Sequence, residues 1–326
     1  MTDKFIGKLS DDSMMSCSRL AALMGDSGFS SPNDELRKSV AAIDNKPWTG
    51  GNPPGEAAEW GNHLENVILR VMAERLELEV DTQITKRVEH ANLPLQGSLD
   101  GVLEGDGRTI KHAPELGIYV VGADEINLDG QGVGESKATS APPAAELPPY
   151  RGPWQVEGLM MCTGMKWATI GVLYRGSELR IYLVKPDAAM QAKITNEVLD
   201  FEQRLATYRA DGVIDWFPPI SSNDAAVTYP GDLDIPPITF TEKTGLKVAE
   251  LLDAQRTRKS VVKMIDQLQA QIMDEMGSHT TALALDEDGE TVAEISWPIN
   301  KPRRESYTPA QPAKRAKTLK IVEVKK

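Results

Sequence analysis

The chain has 326 residues, enough for one large domain or two ordinary ones, and a net charge of −12. No apolar run approaches the roughly 18 to 20 residues of a membrane span, and the first residues lack the apolar core of a secretion signal, so we expect a cytoplasmic protein. Two cysteines, Cys17 and Cys162, exclude a four-cysteine metal site and a disulfide framework.

The charge is unevenly distributed along the chain. Residues 301–326 hold nine Lys or Arg against two Glu, a net +7 that leaves −19 for residues 1–300. Such an end is usually a solvated tail, but a basic tail on an acidic body is also a common way to hold nucleic acid. Composition alone does not choose between these two interpretations.

The N-terminal part of the chain is predicted to be helical. Apolar residues at helical spacing indicate a helix over 14–24, and a second helix follows with Ser31 or Asn33 as its N-cap. After a loop rich in Pro and Gly, a long helix is predicted over 56–78 with one apolar stripe. Glu65 flanks that stripe.

Strand patterns dominate the middle of the chain. Four strands are predicted, at 80–88, 96–103, 116–122 and 131–138. A helix over 154–163 then precedes a two-stranded hairpin over 167–186 and an amphipathic helix over 187–210. This order favours an α/β (α+β) fold in which helices pack on a mixed, mostly antiparallel sheet.

The last third of the chain is predicted to be separate from this domain. Residues 213–238 contain five prolines and a "YPGD" turn, which is typical of a linker. A helix of up to about 35 residues follows, long enough to pack on another chain or on the core. The predicted division is a domain over 1–212, the linker over 213–238, a helix and hairpin extension over 239–300, and a basic flexible tail over 301–326.

Three carboxylates and a lysine occur on elements that a folded sheet can bring together. Glu65 is on the long helix and Asp100 on a strand, in "GSLDG". Glu135 and Lys137, in "ESK", share one face of the next strand because side chains alternate. Carboxylates from adjacent elements suit Mg²⁺ or Mn²⁺, which lower the pKa of bound water and offset charge on a phosphoryl oxygen. Lys137 can then orient or deprotonate the attacking water, and Gln155 opens the next helix.

Each of these residues also has an ordinary structural explanation. An isolated E-x-K is most often a solvent-facing ion pair, and Glu65 by itself is most often an exposed helix acid. Asp100 before glycine is typical of a turn, and Gln155 after Trp154 of a first helical turn. Their order along the chain is what favours a shared site.

The pattern G-x-x-x-E, S-x-D-G, E-x-K and Q resembles that of the PD-(D/E)xK nuclease superfamily. More narrowly it is similar to the lambda-exonuclease and YqaJ-like viral recombinase nucleases of phages. The stretch "MSCSRLAALMGDSGFSSPNDEL" resembles the start of those proteins, with a serine-bearing helix, a glycine turn and an "SP" helix start. The resemblance covers residues 14–210. It implies a restriction-endonuclease-like mixed sheet flanked by helices, to which this chain adds a C-terminal helix and hairpin.

Carried over by position, the resemblance implies a complete active site. Asp100, Glu135 and Glu65 correspond to metal ligands for Mg²⁺ or Mn²⁺, Lys137 to the active-site lysine, and Gln155 to a positioning amide.

The resemblance also implies a pocket for the 5′ phosphate of the digested strand. Its hydroxyls correspond to Ser18 and Ser98, while the family's arginine has no counterpart in "SDDSMM". The chain departs further in having Leu99 and no proline before the aspartate. Its acids are also more widely spaced, so residues 112–134 are expected to form an inserted loop or strand near the site.

The activity implied is that of a metal-dependent exodeoxyribonuclease. It resects linear double-stranded DNA from an end, 5′ to 3′, and leaves single strand for an annealing protein in the cytoplasm of a phage's bacterial host. The expected assembly is a homo-oligomer, commonly a ring-shaped trimer in lambda exonuclease. A structure-specific or restriction-type endonuclease of the same superfamily stays an alternative. So does a catalytically inactive DNA-binding or assembly protein.

Overall fold

The computed structural model describes residues 10–48, 55–144, 146–229, 236, 238–300, 314–315 and 320–323. The chain forms two compact units, Met1–Asp232 and Leu233–Lys326. Among the helices that the structure describes, none combines the length and the apolar character needed to cross a bilayer.

Among the described helices of the first unit, the first five follow the predicted order, and the sixth lies within the predicted linker. They are α1 (Leu20–Leu23), α2 (Pro32–Ile43), α3 (Glu56–Leu76), α4 (Pro153–Thr163), α5 (Ala188–Asp211) and α6 (Ser222–Thr228), with short 3₁₀ turns at Cys17–Arg19 and Pro114–Leu116. At the start of α2 the Ser31 hydroxyl accepts the backbone N–H of Asp34, whose carboxylate accepts the N–H of Ser31. This reciprocal capping shows that Ser31, not Asn33, is the N-cap of the helix.

The strands of the first unit form one large and one small sheet. In chain order they are β1 (Met15–Ser16), β2 (Glu79–Asp81), β3 (Val88–Glu89), β4 (Leu95–Gly97), β5 (Gly101–Lys111), β6 (Ile118–Val120), β7 (Glu125–Thr139), β8 (Ala168–Tyr174) and β9 (Glu178–Val184). The large sheet has the order β2-β5-β7-β8-β9-β6 and the small one β1-β4-β3. Strand β7 runs antiparallel to β5 and parallel to β8, so the prediction of a mixed sheet is confirmed.

Helices cover both faces of the large sheet because its central strands carry apolar side chains on each face. On β9, Ile181 and Leu183 belong to the apolar cluster under α3, while Tyr182 between them belongs to the cluster with α4 and α5. Strand β8 alternates in the same way, with Ile170 and Val172 directed to the second cluster. The prediction of a sheet flanked by helices is therefore confirmed.

Two predicted elements near the site are wrong in detail. The helix over 14–24 is reduced to α1, because Met15–Ser16 instead pairs in parallel with Leu95 and Gln96 of β4. The single strand over 96–103 is divided between β4 and β5, which belong to different sheets. Asp100 lies in the short connection between β4 of the small sheet and β5 of the large sheet.

The expected insertion over 112–134 is part of the sheet. It contains β6, which lies at the edge beside β9, and the first part of β7, which extends the ladder with β5 as far as the pair Lys111 and Glu125.

The first part of the predicted linker packs on the first unit. Residues 222–228 form α6, and the buried Asp224 accepts hydrogen bonds from Ser31 Oγ (2.9 Å) and Asn33 Nδ2 (3.3 Å) of α2. A buried carboxylate needs such donors, so this segment is held by α2 and is not a free connection. The other predicted domain limits stay predictions.

The second unit consists of a long helix and short strands. The helix α7 spans Glu242–Met276, and the strands are β10 (Thr281–Leu285), β11 (Thr291–Ser296), β12 (Ile299–Asn300), β13 (Lys314–Arg315) and β14 (Lys320–Glu323). Strands β10 and β11 form the predicted hairpin, and β14 pairs antiparallel with β11. Apart from β13 and β14, the predicted tail over 301–326 lies outside the described residues.

Candidate active site

Asp100 is held against β7 between Glu135 and Lys137. The strands β5 and β7 pair at Gly101 and Gly134, so the residue before β5 meets the residue after Gly134. Asp100 Oδ2 accepts the backbone N–H of Ser136 at 3.0 Å and lies 3.4 Å from Ser136 Oγ. These bonds fix the carboxylate at the edge of the ladder, beside Glu135.

Glu135, Lys137 and Gln155 form a closed triangle of hydrogen bonds. Lys137 Nζ donates to Glu135 Oε1 at 2.5 Å and to Gln155 Oε1 at 3.0 Å. Gln155 Nε2, on the first turn of α4, donates to Glu135 Oε2 at 2.8 Å. Glu135 is fully buried, whereas the Lys137 side chain is 31% exposed. The acid is therefore locked in place, whereas Lys137 and Gln155 are only partly buried.

Helix α3 brings Glu65 to the same place because two glycines let it approach the sheet. Leu69, one turn after Glu65, is fully buried and lies against Gly101 and Gly134. A Cβ built on either glycine would lie 3.3 Å from a Leu69 methyl carbon. The half-buried Glu65 then lies close enough to Asp100 and Lys137 for their charges to act on its pKa.

The carboxylates carry more negative charge than the single lysine offsets. Burial, and then the charge of Asp100, raises the pKa of Glu135 to about 8 and that of Glu65 to about 7, although Lys137 acts in the opposite direction. Burial acts to lower the pKa of Lys137, but Glu135 and Asp100 outweigh it and the pKa is raised. Lys137 is thus an ammonium ion at neutral pH, which favours orienting and charge-stabilising roles over deprotonation of water.

The donor set has the chemistry of a divalent-cation site. Asp100, Glu135 and Glu65 offer carboxylate oxygens, which Mg²⁺ and Mn²⁺ prefer. A bound cation would oppose both the burial and the repulsion that raise the pKa values of Glu135 and Glu65. In the part of the chain that the structure describes, no three His, Cys, Asp or Glu side chains converge closely enough to form a ready metal site. The ammonium group of Lys137 lies against Glu135, the most buried of these acids.

The five residues predicted as the catalytic set come together, and the two serines of the predicted phosphate pocket lie on separate segments. Ser18 is exposed in the 3₁₀ turn and its Oγ lies 3.3 Å from Ser16 Oγ. Ser98 lies between β4 and β5 and not within one extended strand with Asp100. Arg19, which follows Ser18 in the sequence, is buried and donates to Glu35 and Ser39. Both serines stay predictions.

Sequence reasoning missed the small residues that assemble the site. Ser136 donates its backbone N–H to Asp100, and Gly101 and Gly134 admit α3. A signal was present in the sequence, because a glycine or serine adjoins each acid in "LDG" and "GES".

No protein-family model and no curated protein matches the chain. Several solved structures resemble it. An alkaline exonuclease from Laribacter hongkongensis is 17% identical, with a TM-score of 0.43 over 60% of this chain and 90% of that one. The same enzyme in complex with dAMP is 16% identical, with a TM-score of 0.45 over 65% and 98%. A phage-related exonuclease from Haemophilus somnus is 13% identical, with a TM-score of 0.40 over 61% and 96%.

Proposed function

We propose that this protein is a metal-dependent deoxyribonuclease. The observation that carries the proposal is the cluster of Asp100, Glu135 and Glu65 around one lysine, in which burial and mutual repulsion raise the pKa values of two carboxyls. Packing alone gives no reason to gather two further acids around the fully buried Glu135, since uncompensated buried charge destabilises a fold. A cation and a phosphodiester give such a reason.

Each residue has a role in this proposal that follows from its position. Asp100 and Glu135, with Glu65 as a third carboxylate, would hold Mg²⁺ or Mn²⁺, which supplies charge neutralisation at the phosphate and a more acidic water. Lys137, which is partly open to solvent, would place its ammonium group beside the reacting phosphate and orient the nucleophile. Gln155 fixes the side chains of Glu135 and Lys137 through its two hydrogen bonds.

The finer activity rests on the sequence resemblance. It favours an exonuclease that digests linear duplex DNA 5′ to 3′, supplies an annealing protein with single strand, and acts as an oligomer in the cytoplasm of a phage-infected bacterium. A net charge of −12 does not favour a generally basic DNA surface. The proposal therefore includes locally basic segments, such as residues 301–326, as DNA contacts.

The decisive assay uses a linear duplex labelled at one end, with and without Mg²⁺. Progressive shortening that requires the metal supports the proposal, and no cleavage by folded protein in Mg²⁺ or Mn²⁺ contradicts it. Asp100→Asn keeps the shape and one acceptor for Ser136 but removes the charge, so cleavage should fall at least about 10²-fold. Glu104→Gln, an exposed acid on β5, is the matched control and should cleave normally.

A closed circular duplex separates the two nuclease classes. An exonuclease needs an end and leaves the circle intact, whereas a structure-specific or restriction-type endonuclease opens it. Binding of DNA without cleavage of either substrate would instead indicate the inactive DNA-binding protein.

A further inference from the structure

Helix α7 carries a stripe of residues with the spacing of a coiled coil. Positions alternately three and four residues apart lie along one side of a helix and are the contact positions of a paired helix. In α7 this spacing starts at Leu251 and ends at Glu275. We call these positions the α7 seam; they are Leu251, Ala254, Arg258, Val261, Ile265, Leu268, Ile272 and Glu275.

The middle of the α7 seam is open to solvent. Val261, Ile265 and Leu268 are 46%, 49% and 51% exposed, and Met264 beside them is 57% exposed. Near the C-terminal end of the helix, Met276 is buried. Large aliphatic side chains exposed in a continuous stripe mark a protein contact and not a solvated helix face.

The charged residues along this part of α7 mostly lie off the seam. Those that point away from a helix packed on the seam are Asp253, Arg256, Lys259, Lys263, Asp266 and Asp274. The helix is therefore amphipathic, with a polar side suited to water and an apolar side that is exposed from Leu251 to Leu268 and partly covered at Ile272.

The α7 seam is complementary to itself in one orientation. Its two charged members, Arg258 and Glu275, lie seven residues outside Ile265 and Leu268, respectively. When an antiparallel copy places Ile265 against Leu268 of the partner subunit, Arg258 faces Glu275 of the partner subunit at both ends. A parallel copy in register would place Arg258 against Arg258 of the partner subunit, which is repulsive.

We propose that α7 pairs with the α7 of a second copy of this chain as an antiparallel coiled coil centred between Ile265 and Leu268. The contact runs over residues 258–275, about 27 Å of helix at 1.5 Å per residue. Apolar layers fill its middle and an ion pair of Arg258 with Glu275 of the partner subunit closes each end. The proposal concerns the second unit and does not depend on the nuclease site.

The first test disrupts the middle of the seam in the full-length protein. Ile265→Asp places a carboxylate in two apolar layers of the pair, so the dissociation constant should rise at least about 100-fold. Sedimentation over a wide range of concentration should show that the mass of the assembly is halved. Lys263→Glu, on the polar side, is the matched control and should assemble as the wild type does. An unchanged mass for Ile265→Asp, with its circular dichroism unchanged, overturns the proposal.

The second test exchanges the charges and defines the orientation. Arg258→Glu or Glu275→Arg alone turns both end pairs from attraction to repulsion and should weaken assembly at least about 10-fold. The double variant Arg258→Glu with Glu275→Arg restores opposite charges and should regain wild-type affinity. If the single variants assemble like the wild type, or the double variant fails to recover, antiparallel pairing is wrong.

Discussion

Glu135→Gln should abolish cleavage and stabilise the protein at high pH. In the folded chain the pKa of this fully buried carboxyl is raised by burial and by Asp100, from 4.5 to about 8. Between these two values the unfolded chain releases a proton that the folded chain retains, so stability falls as pH rises through this window. The loss is about 1.4 kcal/mol per pH unit, about 5 kcal/mol in all by pH 8.

A glutamine at position 135 does not ionise, so the variant does not lose this part of its folding stability as the pH rises. The substitution also removes the ionic partner of Lys137, which costs about 1–3 kcal/mol. The expected net gain at pH 9, without divalent cations, is therefore about 2–4 kcal/mol. At about 2–4 °C per kcal/mol for a chain of this size, the melting temperature should rise by roughly 5–15 °C.

Thermal melts in EDTA at pH 5 and pH 9 measure this effect. The advantage of the variant should be small at pH 5, where Glu135 is protonated, and large at pH 9. Glu104→Gln, an exposed acid that accepts a hydrogen bond from Gln131, should show no such dependence on pH. A variant that melts no higher than the wild type at pH 9, or by the same margin at both pH values, refutes the reasoning.

Four further predictions concern the same site. Lys137→Ala should lower cleavage at least about 10²-fold with DNA binding retained in a gel-shift assay, and near-normal cleavage would contradict its role. Gly134→Ala places a Cβ 2.7 Å from a Leu103 methyl carbon, so chemical denaturation should show a loss of about 1–3 kcal/mol together with reduced cleavage. Mg²⁺ should raise the melting temperature more at pH 9 than at pH 6, because carboxyls with pKa values of about 7 and about 8 must lose protons before they bind a cation; an equal rise at both would argue against these ligands. DNA ends with 5′ phosphates should be digested faster than 5′ hydroxyl ends, and Ser18→Ala with Ser98→Ala should remove the difference; equal rates in the wild type would exclude the pocket.

The sequence by itself determined the class of fold and the residue types of the site. The helix over 56–78 and the hairpin over 167–186 were predicted because local periodicity decides such elements. The "ESK" pattern placed Glu135 and Lys137 on one face of a strand, as the structure has them, because side-chain alternation is a local property of the backbone.

Only the tertiary structure decided how the site is assembled and charged. The pattern over residues 96–103 predicts one strand. In the structure, Leu95 pairs with Met15, so the first half of this segment belongs to the small sheet, and Asp100 lies in the connection to the large sheet. The approach of α3 depends on the pairing of Gly134 with Gly101, which are far apart in the sequence, so no local pattern shows that both lie under the helix. The raised pKa of Glu135 likewise arises from burial and from Asp100, which tertiary folding brings beside it. Long-range packing sets these features, because it overrides local preference wherever it buries more surface or satisfies more backbone groups.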